Sequence, residues 1–292
     1  MNRELAILEL ADYYERVEYN DASAYLIINE KMEDYKCMFG FIEFPNDLET
    51  ARGLFELLEN GAKAKGYKTL VGPVNYCTWM SYRWAINNFD MKLFPDCTNP
   101  AYYPEIVRQL GYKELYTYRS AHIDINNPLY AVGSAVVAQK EKEGFEFKLF
   151  ENDDVFALSR EVYDISANAF KGSYLYSEIP YEYFREVYLT WVKGLKIGMI
   201  MAYYNGEPVG YVFGYDNPYD HSFISKTSAV KKEYQKHKVY VALLYLGCKY
   251  VLDKGYKDMV YHYQCEQKGT FKRFDEGVES MEKKYAVFAK EL

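Results

Sequence analysis

The sequence is short of the side chains that hold metals and disulfides. Its four histidines (His122, His221, His237, His262) form no ligand-spaced pair, so no metal site is expected. Its five cysteines (Cys37, Cys77, Cys97, Cys248, Cys265) are odd in number and lack C-x-x-C spacing. They read as free thiols of a reducing, cytoplasmic setting. Apolar runs such as Val239–Leu246 fall far short of the ~20 residues that span a bilayer, so no membrane partner is expected. Met1–Glu4 is followed by a charged, helix-like stretch rather than a signal-peptide core. Basic excess is missing too: 35 Lys+Arg face 42 Asp+Glu, a formal net charge of −7. A dedicated nucleic-acid binder normally carries the opposite balance, so no nucleic-acid partner is expected.

What is present describes a globular chain. Its 292 residues suggest two domains, and 49% hydrophobic against 26% charged residues supply a core and exclude global disorder. Aromatic content is high, with 33 Tyr and 17 Phe but 3 Trp. Tyrosine at this level can line a groove or fill a core with its hydroxyl tied to a partner.

Periodicity alternates strands and helices. Ala24–Asn29 and Cys37–Phe44 read as strands, and Asp47–Lys65 as a helix capped by Asn46 or Asp47, with Leu54, Leu57, Leu58 and Ala62 on one side. Gly66 stops it where a left-handed residue is wanted. Thr69–Val74, the helix Tyr103–Leu110 and Lys113–His122 follow. In the second half, Gly198–Tyr204 and Pro208–Tyr215 flank Asn205-Gly206, a strong hairpin signal. Then come the strand Phe223–Val230, a buried helix Tyr240–Lys254 ended by Gly255, a strand Met259–Tyr263, a short helix Thr270–Asp275 and a strand Lys284–Ala289. Lys65-Gly66-Tyr67-Lys68 and Val71 match Lys254-Gly255-Tyr256-Lys257 and Val260 at the same junction, which suggests an internal duplication.

The segment Val230–Leu244, VKKEYQKHKVYVALL, resembles motif A of the GNAT superfamily of acyl-CoA-dependent N-acyltransferases, V-x-P-E-Y-[RQ]-x-x-G-x-[GA]-x-x-L-L. Val230, Glu233, Tyr234, Gln235, Val239, Ala242, Leu243 and Leu244 occupy matching positions. Phe39–Glu43, Val71–Asn75, Asn99–Tyr103 and the ending Lys284–Lys290 resemble elements of a tandem branch, in order. The resemblance implies an α/β (α+β) tandem GNAT fold of two mixed twisted sheets flanked by helices. Residues 1–135 would form an N-terminal GNAT-like domain, and residues 136–292 a C-terminal GNAT domain with the cofactor site.

The implied cofactor is acetyl-CoA or another acyl-CoA, its phosphates met at a helix N-terminus. Thr227, Ser228, Ala229 and Val230 on the strand, with Gln235, Lys236, His237, Lys238, Val239 and Tyr240 after it, would hold it. Lys238 and Tyr240 replace the motif's small residues, and Tyr240 puts a ring where phosphate needs room. Lys226, Lys231, Lys232, Lys236 and Lys238 supply a local basic cluster, which reads either as phosphate ligands or as a solvated face. The first-half loop carries Asp47 and Glu49 instead, so only the second half is a candidate.

The implied reaction passes an acyl group to an amine of a small molecule or peptide, and needs a base. Glu266 follows the strand Met259–Tyr263 and is the candidate, against a surface helix-cap role. Cys265 lacks a His nearby in sequence and reads as a structural thiol. Gln267, Phe271 and Phe274 stand where many members carry an Asn and a Tyr acid. The long, aromatic insertion Asn75–Tyr103 is the candidate substrate wall: Asn75, Tyr76, Arg83, Tyr102 and Tyr103, with Arg83 available for a carboxylate. The alternative is that these aromatics close an interdomain core. Lys238, Tyr240 and Phe271 support a second function, a non-catalytic GNAT-like binding protein that has lost CoA. Aminoacyl transfer from charged tRNA is a third class, weakened by the negative charge.

Overall fold

A computed structural model of the protein describes residues 5–123, 128–188, 190–268 and 281–292. The strands are β1 (Tyr13–Tyr19), β2 (Ala22–Ile28), β3 (Cys37–Glu43), β4 (Thr69–Gly72), β5 (Trp84–Ala85), β6 (Lys113–Ile123), β7 (Phe145–Glu151), β8 (Ile197–Tyr204), β9 (Glu207–Asp216), β10 (Phe223–Val230), β11 (Met259–Cys265) and β12 (Glu282–Glu291). The helices are α1 (Leu48–Ala64), α2 (Tyr102–Gln109), α3 (Pro128–Lys142), α4 (Asp153–Ala157), α5 (Ser159–Phe170), the single turn α6 (Tyr181–Tyr183) and α7 (Val239–Asp253). The expected helix Thr270–Asp275, with Phe271 and Phe274, lies outside the described residues.

The mixed α/β class is as expected, and the strands of both halves run edge to edge in one sheet. Its order is β1-β2-β3-β4-β12-β6-β11-β10-β9-β8-β7, with β5 also on β12. The centre is a reciprocal exchange. β6, from early in the chain, pairs with β11, whereas β12, from its end, pairs with β4. The two exchanged strands pair with each other from Glu282↔Ala121 to Ala289↔Lys113. Separating the halves would open strand edges whose N–H and C=O groups need partners, so backbone hydrogen bonds join them.

Two parallel contacts flank this exchange, β3 with β4 and β10 with β11. A parallel pair needs a crossover, and α1 and α7 provide it. Asp47 caps α1 by accepting from the Thr50 N–H at 2.8 Å. Ala51, Leu54, Phe55, Leu58 and Ala62 bury its stripe, while Leu57 is exposed on the flank, unlike its expected place. The duplicated string occupies equivalent helix ends. Gly66 and Gly255 have φ of +85° and +79°, and the next N–H reaches five residues back, Tyr67 to Ala62 O and Tyr256 to Val251 O, both at 3.1 Å. Asn205-Gly206 also turns as expected, both residues at positive φ.

The stretch after the start departs from expectation. Leu5–Leu10 is a short 3-10 turn, and Tyr13–Tyr19 is a strand rather than helix, paired with β2 from Tyr13↔Ile28 to Tyr19↔Ala22. Its charged residues Glu15, Arg16 and Glu18 are all exposed on an edge strand, where polarity is tolerated. The apolar character of α7 is explained by cover on both sides. Val239, Leu243 and Val251 are buried, and Gly133 of α3 lies so close to Tyr245 that a Cβ there would meet its ring at 2.3 Å.

In the first half the parallel strands are tied together beyond their pairing. Val74 N–H donates to Phe39 O at 2.9 Å, and Phe41 N–H to Asn75 Oδ1 at 2.7 Å. A Cβ on Gly40 would sit 2.4 Å from Val74 O and 2.8 Å from Asn75 Oδ1. Gly40→Ala is expected to destabilise the protein by about 1–3 kcal/mol, since backbone must move to admit it. A urea denaturation midpoint equal to the parent's would refute that closeness.

Candidate active site

Among the described residues of the second half, no equivalent backbone hydrogen bonds tie β10 to β11 beyond their pairing. β10 and β11 pair only at Phe223↔Met259, Ile224↔Val260 and Ser225↔Tyr261. Beyond Ser225, β10 keeps β9 on one side, and beyond Tyr261, β11 pairs with β6. Each strand is irregular where they part. Lys226 is skipped in the β10 register between Ser225 and Thr227, and His262-Tyr263 in the β11 register between Tyr261 and Gln264. Bulges re-aim side chains, and these turn Lys226 and Tyr263 towards a cleft of about 1800 Å³.

Arg83 enters the same cleft from the insertion before β5. Its N–H is held by Pro73 O at 3.0 Å, and its φ is +74°. Tyr263 also has positive φ, +58°. Left-handed backbone on such residues costs of order 1–3 kcal/mol each, and two in contact mark a place where structure over-determines conformation. The guanidinium carbon lies 3.5 Å from the Tyr82 ring centroid, 3.9 Å from Tyr263 and 4.2 Å from Tyr118. Lys226 Nζ lies 4.1 Å from the Tyr263 centroid. These are cation–π distances, and they bring two cations onto one ring. Burial lowers the Lys226 pKa to about 7, and the Arg83 charge acts in the same direction, with Cys97 and Asp96 opposing.

The floor is anchored through the insertion. Asp96 Oδ2 is 2.7 Å from Lys283 Nζ on β12, and its Oδ1 accepts from the Tyr263 hydroxyl at 3.2 Å. Lys283 also donates to Met91 O at 3.0 Å. His262 is buried; its Nε2 lies 2.9 Å from Pro95 O and its Nδ1 2.7 Å from Ser120 Oγ. A carbonyl only accepts, so Nε2 carries the proton and Nδ1 accepts from Ser120. Burial, with Lys226 nearby, holds its pKa well below the ordinary value, so His262 is a neutral brace. Burial pushes the Cys97 thiol up; its Sγ is 3.5 Å from the Tyr263 hydroxyl.

No family model matches the chain, and no curated protein matches its sequence. Solved structures do match in shape. A tandem GNAT protein from the clavulanic acid biosynthesis pathway superposes with a TM-score of 0.53 at 10% identity, over 100% of this chain and 88% of that one. The chain has a GNAT fold. A GCN5-related glucosamine N-acetyltransferase region of a fungal multi-domain GH3 β-N-acetylglucosaminidase gives 0.52 at 13% identity, over 98% of this chain and 34% of that one. A GCN5-related N-acetyltransferase from Sphaerobacter thermophilus is similar at 0.45 and 13% identity, over 92% of this chain and 80% of that one. Among the described residues no helix is long and apolar enough to cross a membrane.

Within this GNAT fold the residues expected at the site separate. Thr227, Ser228 and Tyr240 line the cleft, whereas Ala229, Val230 and Val239 are buried in the packing beside it. Gln235, Lys236, His237 and Lys238 are exposed on the turn before α7, outside the cleft lining, and Gln235 Nε2 donates to Val230 O at 3.1 Å. Lys226 stands apart from the other lysines of its supposed cluster, since it belongs to β10. Arg83, Asn75 and Tyr103 line the cleft. Asn75 and Tyr103 are engaged with backbone N–H groups, of Phe41 and Phe44, and Tyr103 stacks on Phe44 at 4.0 Å. Tyr76 is fully buried with its hydroxyl towards Leu10 O, and the Tyr102 hydroxyl donates to Phe44 O at 2.8 Å; neither lines the cleft. Those two are core fillers, because their rings close the packing under the insertion. Glu266 begins a 3-10 turn past β11 and acts on Lys284, outside the cleft lining, so the structure does not bring it to the parting strands. Cys265 does reach the lining, half-buried beside Gln267 Oε1 at 3.5 Å. Sequence reasoning missed Lys226 as a cleft residue, and Asp96, Tyr118 and Tyr263 altogether. The signal for Lys226 was the one charged residue in a strand of apolar and hydroxyl side chains, FISKTSAV.

Lys238 stands at a glycine position of the pattern that Val230–Leu244 resembles, yet it adopts the left-handed backbone a glycine supplies, φ +59°, at the N-cap of α7. The substitution thus keeps the turn's path, and the exposed Lys236 and Lys238 flank it. These residues suit a pyrophosphate. Tyr240 narrows the neighbouring cleft, since its side chain reaches Ser228 on β10.

Proposed function

We propose that the protein is an acyl-CoA-dependent N-acyltransferase whose reaction takes place where β10 and β11 part. The observation that carries this reading is Lys226, which a bulge in β10 turns into the cleft beside Tyr263, where burial lowers its pKa to about 7. A lysine in that state can take a proton from a substrate ammonium and leave a free amine able to attack. Acyl-CoA, when bound, supplies the activated acyl group. The first turn of α7 with Lys236 and Lys238 would hold its phosphates, and the β10 strand beside Thr227 and Ser228 would face the acyl end. The place of Lys226 against the Tyr263 ring, with the Arg83 charge acting on it, favours the neutral amine.

Titration calorimetry with acetyl-CoA is the first test. The wild type is expected to bind, with affinity falling as salt rises, and Lys236→Ala/Lys238→Glu is expected to bind about tenfold or more weakly. Absence of binding by acetyl-, propionyl- and longer acyl-CoAs sinks the proposal. Tyr240 favours a second reading, a binding protein that does not use CoA. On that reading Tyr240→Gly creates or greatly tightens acetyl-CoA binding from an undetectable starting level. Micromolar binding by the wild type rules it out.

A further inference from the structure

Arg83 is the most unusual cation of the molecule. Its residue is 7% exposed, its Nε donates to Tyr82 O at 3.1 Å, and its buried Nη1 has no hydrogen-bond partner. Among the described residues, no carboxylate lies within 4 Å of the guanidinium. Tyrosine rings approach it from Tyr82, Tyr118 and Tyr263 instead, an arrangement that stabilises the charge while leaving in-plane N–H groups to be met by something else. The nearby acid, Asp96, is already taken by Lys283 and the Tyr263 hydroxyl. Burial holds the hydroxyls of Tyr82, Tyr118 and Tyr263 and the Cys97 thiol in their neutral forms. The floor of the cleft is therefore positive, with an unmet donor. A buried unpaired guanidinium N–H costs enough that native structures meet it with a partner.

We propose that Arg83 receives the carboxylate of the substrate, and that the amine acylated here is an amino acid or another small molecule carrying both groups a few bonds apart. This rests on the acyl-transfer reading for the role of the amine. The size limit comes from the shared ring: Arg83 and Lys226 lie within 3.9 and 4.1 Å of the Tyr263 centroid. A molecule with its carboxylate on the first can therefore present its amine to the second without a long spacer. A planar monoanion suits one planar guanidinium, and a single cation of this kind is poorly matched to a phosphate dianion.

The test compares acids with their amides on the wild-type protein without CoA. The twenty L-amino acids and their α-amides are titrated by calorimetry and ligand-observed NMR. At least one acid is expected to bind about 10- to 100-fold more tightly than its amide, as for a hydrogen bond to a charged group. Arg83→Gln is expected to abolish that preference, and Arg83→Lys to keep part of it, with circular dichroism confirming that each is folded. The proposal is overturned if amides bind as well as acids, if a folded Arg83→Gln keeps the preference, or if no amino acid binds at 10 mM, taken as roughly the weakest useful affinity. Acetyl transfer is assayed separately. Acid preference without transfer removes the acyl-transfer reading and keeps the carboxylate site; transfer to amines lacking a carboxylate does the reverse.

Discussion

Lys283→Met is expected to destabilise the protein by about 3–5 kcal/mol, the largest effect of any single substitution considered. Both side chains of the pair are almost sealed from water, Lys283 at 3% and Asp96 at 9% exposure, with 2.7 Å between charges. Removing the lysine leaves a buried carboxylate with no counter-charge, facing only neutral donors such as the Cys97 N–H and the Tyr263 hydroxyl, and strands Met91 O as well. The cost is that of an unpaired charge and not the worth of the pair, because desolvation offsets much of the mutual attraction. Asp96→Asn/Lys283→Met is therefore expected to recover most of the loss, since a neutral amide needs no counter-ion. Equilibrium urea unfolding of the three proteins decides it. A loss below about 1 kcal/mol in the single variant would show that water reaches the pair. The same pair joins β12 to the insertion that carries Asp96, so the single variant is also expected to loosen Tyr263 and the cleft floor.

The second large effect concerns chemistry. Lys226→Met is expected to lower kcat/KM for acyl transfer by about 10²- to 10⁴-fold, the usual contribution of a positioned base, while the fold is retained. The pH dependence has a definite sign. The base works unprotonated, so wild-type kcat/KM rises as pH increases through about 7 and then levels. Arg83 lowers the lysine pKa, so Arg83→Gln moves the midpoint upward; Asp96 raises it, so Asp96→Asn moves it downward. A merely structural Lys226 would leave the midpoint where it is in both variants. A profile flat from pH 5.5 to 8.5, roughly the range over which such a group titrates, excludes Lys226 as the base.

Much of the local structure could be read directly from the residues. Asp47 caps α1, Gly66 and Gly255 end their helices with left-handed backbone, and Asn205-Gly206 turns a hairpin. Each of these depends on chemistry within a few residues of itself. The tyrosine-rich insertion was also visible as one element, yet its members could not be sorted. Tyr76 and Tyr102 look no different in sequence from Tyr82, and only packing sends the first to the core, the second to Phe44 O and the third to Arg83.

Sequence alone determined the alternation of strands and helices, the lysine-rich turn before α7, and the contrast between that turn and the acidic loop with Asp47 and Glu49 in the first half. It did so because periodicity, caps and local charge act over short distances. Tertiary structure decided which strands meet: β6 and β12 cross over into each other's half, a pairing between segments more than 150 residues apart. It also decided where β10 and β11 part, and the one-residue irregularities that aim Lys226 and Tyr263 into the cleft. A bulge is set by the register of both partners, which neither strand carries in its own residues. That is why Glu266, the acid that follows β11 in the chain, lies outside the cleft while Lys226 and Arg83, 143 positions apart by number, share a tyrosine ring.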